Sequence, residues 1–365
     1  MNDLNKYGFD GHFISEYQNY ENERAVYPAR VTAQMGKVYT LLGEAGTVNA
    51  IVMGKYIHNT KGTKDFPVVG DFVVARNIPG TDQAEIIQLL NRKTEFSRKM
   101  PISGGRKLHK GVIDGGVTEE QVLASNVDQV MILCGVDSNF NVARLERYLL
   151  LAKRAGIPAL IVLTKIDLNP AYELMMEKAL EISAVEQILS ISAITGEGLE
   201  QLDSYLQPGA TIALLGSSGA GKSTLLNALF NESVQKTNIT SQHSGKGKHT
   251  TTHRQMFFHS SGCMIIDTPG IKELQLWADE DDLELIYPDI IEWEQSCKYK
   301  NCSHRSEAGC MITDKIESGE LSREKYERYL KMKTELKRLS ERKLAHKASM
   351  GKKSKNNVKS MKRGH

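Results

Sequence analysis

Two stretches of this chain carry residue types at spacings that do chemistry. The first is Gly216-Ser217-Ser218-Gly219-Ala220-Gly221-Lys222-Ser223-Thr224, a G-x-x-x-x-G-K-S run. Gly216, Gly219 and Gly221 let the backbone turn sharply, so that its N–H groups converge on an anion. A helix starting near Lys222 adds its positive N-terminal end. In such a cradle Lys222 reaches the β- and γ-phosphates, Ser223 ligates Mg²⁺ and Thr224 lies on the α-phosphate side. A glycine-rich turn with no ligand is the competing reading. The second stretch is Cys297-x4-Cys302-x-His304-x5-Cys310. Three thiolates and one imidazole make a closed tetrahedral set for one structural Zn²⁺, with no open position for a catalytic water. Zinc there would fold a segment too short and too polar to fold alone. The alternative is three free cysteines and a surface histidine.

Other residues extend the first site. Thr164-Lys165-Ile166-Asp167 follows an apolar run and resembles the base-specificity turn of GTP-binding domains. An ionised Asp167 is acceptor-only, so its two oxygens can take the guanine N1–H and N2–H₂ together, a donor pair adenine lacks. The Lys165 stem can lie along the ring plane. Thr164 stands where Asn is commoner, which implies one lost amide contact. Ser192-Ala193 resembles the loop whose backbone meets the guanine O6. Asp267-Thr268-Pro269-Gly270 resembles the metal and γ-phosphate sensor, Asp267 holding Mg²⁺ through water and the Gly270 N–H binding the γ-phosphate. Upstream, Gly247 to Thr252 looks like a first switch loop, in which Thr250 or Thr251 ligates Mg²⁺; a solvated loop is the other possibility.

The elements that must position these residues can be read from periodicity. Ile212–Leu215 is a buried strand leading into the glycine run, and the helix follows it. Residues 127–136, 157–167, 187–199 and 262–270 are further strands with their loops. Val142 to Ala155 is an amphipathic helix with Leu145, Tyr148, Leu149 and Ala152 on one side, and Tyr172 to Ser183 is another. Strands alternating with helices imply a parallel sheet covered on both faces. Before them, residues 29–95 hold five short alternating runs separated by Gly-, Asn- and Pro-containing turns, which fits a small OB-type barrel, either a structural one or one that binds nucleic acid on one face. Residues 1–28 show no clear period and read as a loosely attached arm. Residues 96–123 lie in a basic connector that begins with Arg92 and Lys93 and continues through Arg98, Lys99, Arg106, Lys107 and Lys110, a flexible linker or a phosphate-contacting loop. Near the C-terminus, Leu321 to Ala345 reads as a helix with Tyr326, Tyr329, Leu330, Leu336 and Leu339 partly on one stripe.

Bulk properties set limits. The chain has 365 residues and 40% hydrophobic residues, enough for several cored domains. Its apolar runs are too short to span a bilayer, and the N-terminus has no signal pattern, so a cytoplasmic protein with no membrane partner is expected. Cys134 and Cys263 sit alone in apolar runs and are expected to be buried. The net charge of +3 hides an asymmetry. From Arg323 onward there are 16 Lys+Arg against 4 Asp+Glu, so the remainder of the chain carries −9. Residues 346–365 are expected to be a basic, disordered tail whose charge suits RNA phosphates, unless it is simply solvated.

The order of the motifs is reversed relative to ordinary small GTPases, because the base loops precede the phosphate loop. Cutting and rejoining surface loops leaves core packing intact, so this is a circular permutation. On these motifs the chain resembles the RsgA family, also called YjeQ or YloQ, the ribosome small-subunit-dependent GTPases. The resemblance implies a multi-domain protein. Its parts are an N-terminal all-β OB-type barrel (29–95), a central α/β circularly permuted P-loop GTPase domain (124–274), and a C-terminal mainly helical zinc-binding domain (275–345). It also implies slow GTP hydrolysis to GDP and phosphate, stimulated by the small (30S) ribosomal subunit and used in its late maturation. The implied partners are that subunit with its rRNA, and GTP/GDP; a monomer is expected. Ile271 follows the sensor glycine and cannot orient water by hydrogen bonding. His249 resembles the family's motif histidine by position and is the expected catalytic group, with an exposed loop histidine as the alternative. An ATP-using P-loop enzyme and an RNA-binding scaffold with structural GTP are the remaining function classes.

Overall fold

A computed structural model describes residues 2–60, 62–99, 108–109, 112–113, 120–230, 254–267, 276, 278–305 and 307–361. Their contacts divide the chain into two compact units, one of residues 1–97, 121–180 and 185–274, the other of 98–120, 181–184 and 275–365.

In the first unit, five strands close the expected barrel. Val26–Met35 (β1), Val38–Gly43 (β2), Gly46–Val52 (β3), Phe72–Asn77 (β4) and Gln83–Leu89 (β5) pair in the order β1–β2–β3–β5–β4, and β4 returns to β1. Alternate residues point inward, so Tyr39 and Leu41 of β2 are buried with Val31, Val73 and Ile86. Ala29, Ala50, Ala75 and Ala84 share that interior, as the narrow lumen of a five-stranded barrel requires.

The arm is not loose. Asn2–Asn5 (α1) and Gly11–Tyr17 (α2) pack on the barrel, and Leu4, Phe9, Phe13 and Tyr17 form one buried cluster with Phe72, Val74 and Leu90. Phe13 and Phe72 have ring centroids 4.4 Å apart. Phe13 and Tyr17 lie one turn apart on α2, Phe9 joins them from just before the Asp10 cap, and burying each ring contributes roughly 2–3 kcal/mol. A short helix, Gly54–Asn59 (α3), lies between β3 and β4.

Glu95–Lys99 (β6) pairs with Glu120–Ser125 (β9), and Leu108–His109 (β7) with Val112–Ile113 (β8), so the connector contains strands. Arg92 is no free phosphate ligand. Its side chain is buried and grips both carboxylate oxygens of Asp71 at 2.7 and 2.8 Å. Lys93 is paired with Asp10.

The α/β part adds Gln129–Gly135 (β10), Val142–Arg154 (α4), Ala159–Thr164 (β11), Tyr172–Leu180 (α5), Ile188–Ile191 (β12), Thr211–Leu215 (β13), Lys222–Phe230 (α6), Arg254–Phe258 (β14) and Met264–Asp267 (β15). Asn141 caps α4 by accepting from the Arg144 N–H at 2.9 Å, and Leu145, Tyr148, Leu149 and Ala152 are all buried. The sheet order is β12–β11–β10–β13–β15–β14, parallel except for β14. Cys134 and Cys263 are buried in it. The sheet does not stop at β14. Gln255 and Arg254 pair antiparallel with Ala33 and Gln34 of β1, so barrel and α/β sheet are one continuous sheet inside one unit.

The second unit holds Pro288–Gln295 (α7), Met311–Glu317 (α8) and Arg323–Met361 (α9). Tyr326, Tyr329, Met332, Leu336 and Leu339 of α9 are buried; Leu330, expected on that stripe, is 41% exposed, and Met332 takes its place. The helix also runs past the expected boundary at 345 to Met361. This stretch contains no proline and only one glycine, Gly351, so nothing local stops a helix once the docked first turns have nucleated it.

Arg30 of β1 ties the first unit together. It is fully buried, and burial pushes its guanidinium down to about 10 against the pull of Asp128 and Asp71. It donates to the carbonyls of Tyr7 in the arm, Gly70 in the barrel (3.4 Å) and Asn126 before β10 (3.4 Å), and to Thr211 Oγ1 at the start of β13 (2.8 Å). Its plane lies over Phe72 at 4.8 Å. Arg30→Ala takes a donor from the carbonyls of Tyr7, Gly70 and Asn126, of which Gly70 keeps the Asn126 Nδ2 donor at 3.0 Å, and opens a cavity, so urea unfolding monitored by circular dichroism should show a loss of about 3 kcal/mol or more.

Candidate nucleotide-binding site and metal-ligand cluster

The parallel register brings distant loops to one sheet edge. Gly135 pairs with Thr164, Thr164 with Ile191, Ile132 with Leu215, and Leu214 with Asp267. The glycine run after β13, the 164–167 turn after β11, Ser192 after β12 and Asp267 at the end of β15 therefore leave from the carboxyl ends of adjacent strands. Strand order reverses between β10 and β13, and such a switch point opens a crevice for a ligand.

The glycine run has the conformation its spacing implied. Gly216 has φ +154°, and a Cβ there would stand 2.7 Å from the Leu133 carbonyl oxygen. Gly221 has φ +88°, and its Cβ would stand 3.2 Å from Thr164 Oγ1. Neither position accepts a side chain without moving backbone or the neighbouring turn. Lys222 opens α6 and is buried, its ammonium donating to the Gly216 and Ser217 carbonyls at 2.5 and 3.1 Å. Burial pushes this ammonium below its ordinary pKa, and the Asp267 carboxylate opposes the shift. Ser218, Gly219, Ser223 and Thr224 are exposed, Ala220 is buried, and Ser217 is half-buried.

The base turn touches the phosphate loop. Thr164 Oγ1 donates to the Ala220 carbonyl oxygen at 2.8 Å in a buried contact. The contact inferred to be missing because Thr replaces Asn is thus a different contact, a hydroxyl fastening one loop to the other. Lys165 takes a left-handed backbone, φ +64°, Ile166 is buried, and Asp167 is exposed. Ser192 is fully buried, and its Oγ accepts from the N–H groups of Ile194 and Thr195 at 3.3 and 3.1 Å, which fixes the turn that carries Ala193.

Asp137, just past β10, escaped the sequence reading. Its Oδ2 accepts from Lys165 Nζ at 2.8 Å, and its Oδ1 from the Asn139 N–H at 2.8 Å. Lys165 hydrogen bonding holds this carboxyl below its usual range. A Cβ on Gly219 would stand 3.3 Å from Asn139 Nδ2, so the 137–139 turn borders both loops. No spacing signal marks it; only the pairing of β10 between β11 and β13 places it there. His249, Thr250, Thr251 and Gly270 lie outside the described residues.

In the second unit, Cys297, Cys302, His304 and Cys310 bring their ligand atoms within 4.8 Å of one another, a set that could hold a metal ion. His304 Nδ1 is 3.5 Å from Sγ of both Cys297 and Cys310. His304 takes a left-handed backbone, φ +57°, stapled on both sides by Glu307, which accepts from the Ser303 and Arg305 N–H groups at 2.8 and 3.0 Å. A strained residue held this way points to a purpose for its side chain.

Comparison with known proteins agrees with this geometry. Residues 109–277 match the family described as RsgA GTPase, and residues 211–344 match one described as 50S ribosome-binding GTPase. The chain is 35% identical over 341 residues to the small ribosomal subunit biogenesis GTPase RsgA of Opitutus terrae, covering 91% of this chain and 89% of that one. With the protein of the same name from Syntrophotalea carbinolica it shares 38% over 336 residues, covering 91% and 89%. The chain belongs to the RsgA GTPase family. It is therefore a GTP-hydrolysing enzyme. Among solved structures, YjeQ from Thermotoga maritima superposes with a TM-score of 0.58 at 26% identity, covering 85% of this chain and 98% of that one. YloQ, a circularly permuted GTPase, shares the fold with a TM-score of 0.54 at 24% identity, covering 87% and 97%.

The pairing of Lys165 with Asp137 yields a test. Asp137→Asn removes the anion that holds Lys165. A partly exposed pair contributes about 1 kcal/mol or less to stability, so the melting temperature should move by only a few degrees. Guanine-nucleotide affinity should fall about tenfold in a fluorescent GDP titration.

Proposed function

We propose that this GTPase binds the small (30S) ribosomal subunit and acts in its late maturation, with GTP hydrolysis stimulated by that subunit. The contact of Thr164 with Ala220 carries the nucleotide half of this reading, because it joins a guanine-selective turn to a phosphate cradle across a rearranged chain order. The names of the full-length relatives support the ribosomal half.

Within this reading the backbone from Gly216 to Gly221 cradles the phosphates, and Lys222 exchanges its loop carbonyls for the β- and γ-phosphates. Thr224 flanks the α-phosphate. Asp167 takes the guanine N1–H and N2–H₂, the Lys165 stem covers the ring, Ile166 anchors the turn, and the Ser192–Ala193 backbone meets O6. Ser223, Asp267 and one of Thr250 and Thr251 hold Mg²⁺, and Gly270 senses the γ-phosphate. Asp267 beside the Lys222 ammonium fits an acid that shares a site with phosphate and a divalent cation. His249 orients the attacking water. The donor set of Cys297, Cys302, His304 and Cys310 fits one structural Zn²⁺.

The rRNA partner is supported by chemistry in the second unit. Between two metal-ligand cysteines, Lys298, Tyr299 and Lys300 are all exposed, and Lys298 Nζ lies 5.5 Å from the Tyr299 ring centre. An exposed tyrosine flanked in sequence by two cations suits an unpaired base and its phosphates.

Phosphate release from GTP, measured with and without purified small subunits, should rise when subunits are added; an unchanged rate rejects the ribosomal half. His249→Ala should keep GTP affinity and lose the stimulated turnover, and retained stimulation removes His249 from its role. Asp167→Asn should weaken GTP by roughly 10- to 100-fold, the value of hydrogen bonds to a charged acceptor, in a GTP-versus-ATP competition.

A further inference from the structure

Glu294 occupies an unusual place. It lies in the last turn of α7, three residues before Cys297, with its side chain largely buried. Its two oxygens face different parts of the second unit. Oε1 is 3.7 Å from His304 Nε2, on the ring edge opposite the two cysteine sulfurs. Oε2 accepts from Tyr329 Oη at 2.7 Å and from Lys333 Nζ at 2.8 Å, both on α9. Lys333 Nζ also meets Tyr329 Oη at 2.8 Å, so the three groups form a closed triangle. Tyr329 is 1% exposed and packs edge-on to Tyr287 at 5.3 Å and against Tyr326 at 6.0 Å. The carboxylate thus bridges the cysteine–histidine cluster and the docked part of the long helix.

We propose that Glu294 couples metal loading of the Cys297–Cys302–His304–Cys310 cluster to the docking of the C-terminal helix. The proposal rests on the metal reading of that cluster. The argument from chemistry is one of tautomers. His304 turns Nδ1 toward the sulfurs, so with a metal ligated there the ring proton must sit on Nε2, aimed at Glu294. Without metal neither tautomer is fixed, because the proton can also sit on Nδ1 toward the sulfurs, where it gives Glu294 nothing to accept. Metal loading fixes the proton on Nε2 facing Oε1 and so holds the Glu294 rotamer from which Tyr329 and Lys333 hang. A carboxylate on the far nitrogen of a metal-ligating histidine is the usual orienting partner. Linkage makes the effect reciprocal through this one contact: what metal does for the docking of Tyr329 and Lys333 on Glu294, that docking does for metal affinity. A second tether, Lys325 Nζ to Asp289 Oδ2 at 2.5 Å, holds the start of α9 to the start of α7 without touching the cluster and serves as a control.

The full-length protein is stripped of metal and titrated with Co²⁺, following thiolate charge-transfer and d–d absorption, with chelator competition for affinity. Hydrogen exchange across 323–336 is read with metal and with chelator. In the wild type, chelation should lower protection of 323–336 at least tenfold. Glu294→Gln should weaken Co²⁺ binding by about 10- to 100-fold and abolish the metal dependence of that protection. Tyr329→Phe removes only the hydroxyl and should weaken Co²⁺ a few-fold; it stands in if Glu294→Gln does not fold. Asp289→Asn should leave Co²⁺ affinity within twofold. If the wild type shows no thiolate–Co²⁺ absorption, the metal reading itself fails. If the wild type binds Co²⁺ while Glu294→Gln, or Tyr329→Phe in its place, binds equally well with unchanged metal-dependent protection, the coupling fails and the metal reading stands.

Discussion

Parallel pairing of β10 with β11 on one side and β13 on the other is the constraint on which the site depends. It sets Gly135 beside Thr164 and Ile132 beside Leu215, and so fixes how far the 164–167 turn stands from the glycine run 216–221. The Thr164–Ala220 hydrogen bond, the Asp137–Lys165 pair and the close approach of Gly221 to Thr164 all follow from that register. A one-residue slip of β11 on β10 would turn every inward side chain outward and break all three, and a slip of β13 would break the two that reach the glycine run. Chain order matters little to such a site. Strands are held by what they pair with, so the base loops can precede the phosphate loop in sequence and still flank it in space.

The barrel is built into the same object. β1 pairs with β2, β4 and β14, and the buried Arg30 reaches from β1 to the arm, the barrel turn and the foot of β13. A buried guanidinium is tolerated only when its donors are met, and here they are met almost entirely by backbone carbonyls and a hydroxyl of separate segments. The strand that ends in the phosphate loop thus begins on a residue tied to the barrel.

The second unit solves a different problem. Its segment from Cys297 to Cys310 is short and largely exposed, with too little apolar surface to fix its own shape. Order comes instead from point contacts: Glu307 across the His304 turn, Cys310 Sγ accepting from the Thr313 N–H at the start of α8, and the Lys298 N–H donating to the Gly309 carbonyl. The tyrosines of α9 supply the apolar packing that the cysteine segment lacks.

Fold class was legible because the barrel strands alternate with period two and the α/β strands are apolar throughout, and each pattern has few architectures that bury it. The arm and the tail were misjudged for opposite reasons. Phe9, Phe13 and Tyr17 show too short a period to reveal a partner, yet Phe72 supplies one. The lysine-rich tail has the composition of a disordered segment, yet it continues a helix already nucleated by buried tyrosines. Local spacing in the chain determined the backbone of the phosphate loop, since Gly216 and Gly221 carry their φ preference with them, and it determined which four side chains form the cysteine–histidine set. Only the tertiary structure decided that Thr164 binds Ala220, that Asp137 holds Lys165 and that Arg92 is consumed by Asp71. Those partners lie 21 to 56 residues apart in sequence and meet only through strand pairing and packing, which no single stretch of chain encodes.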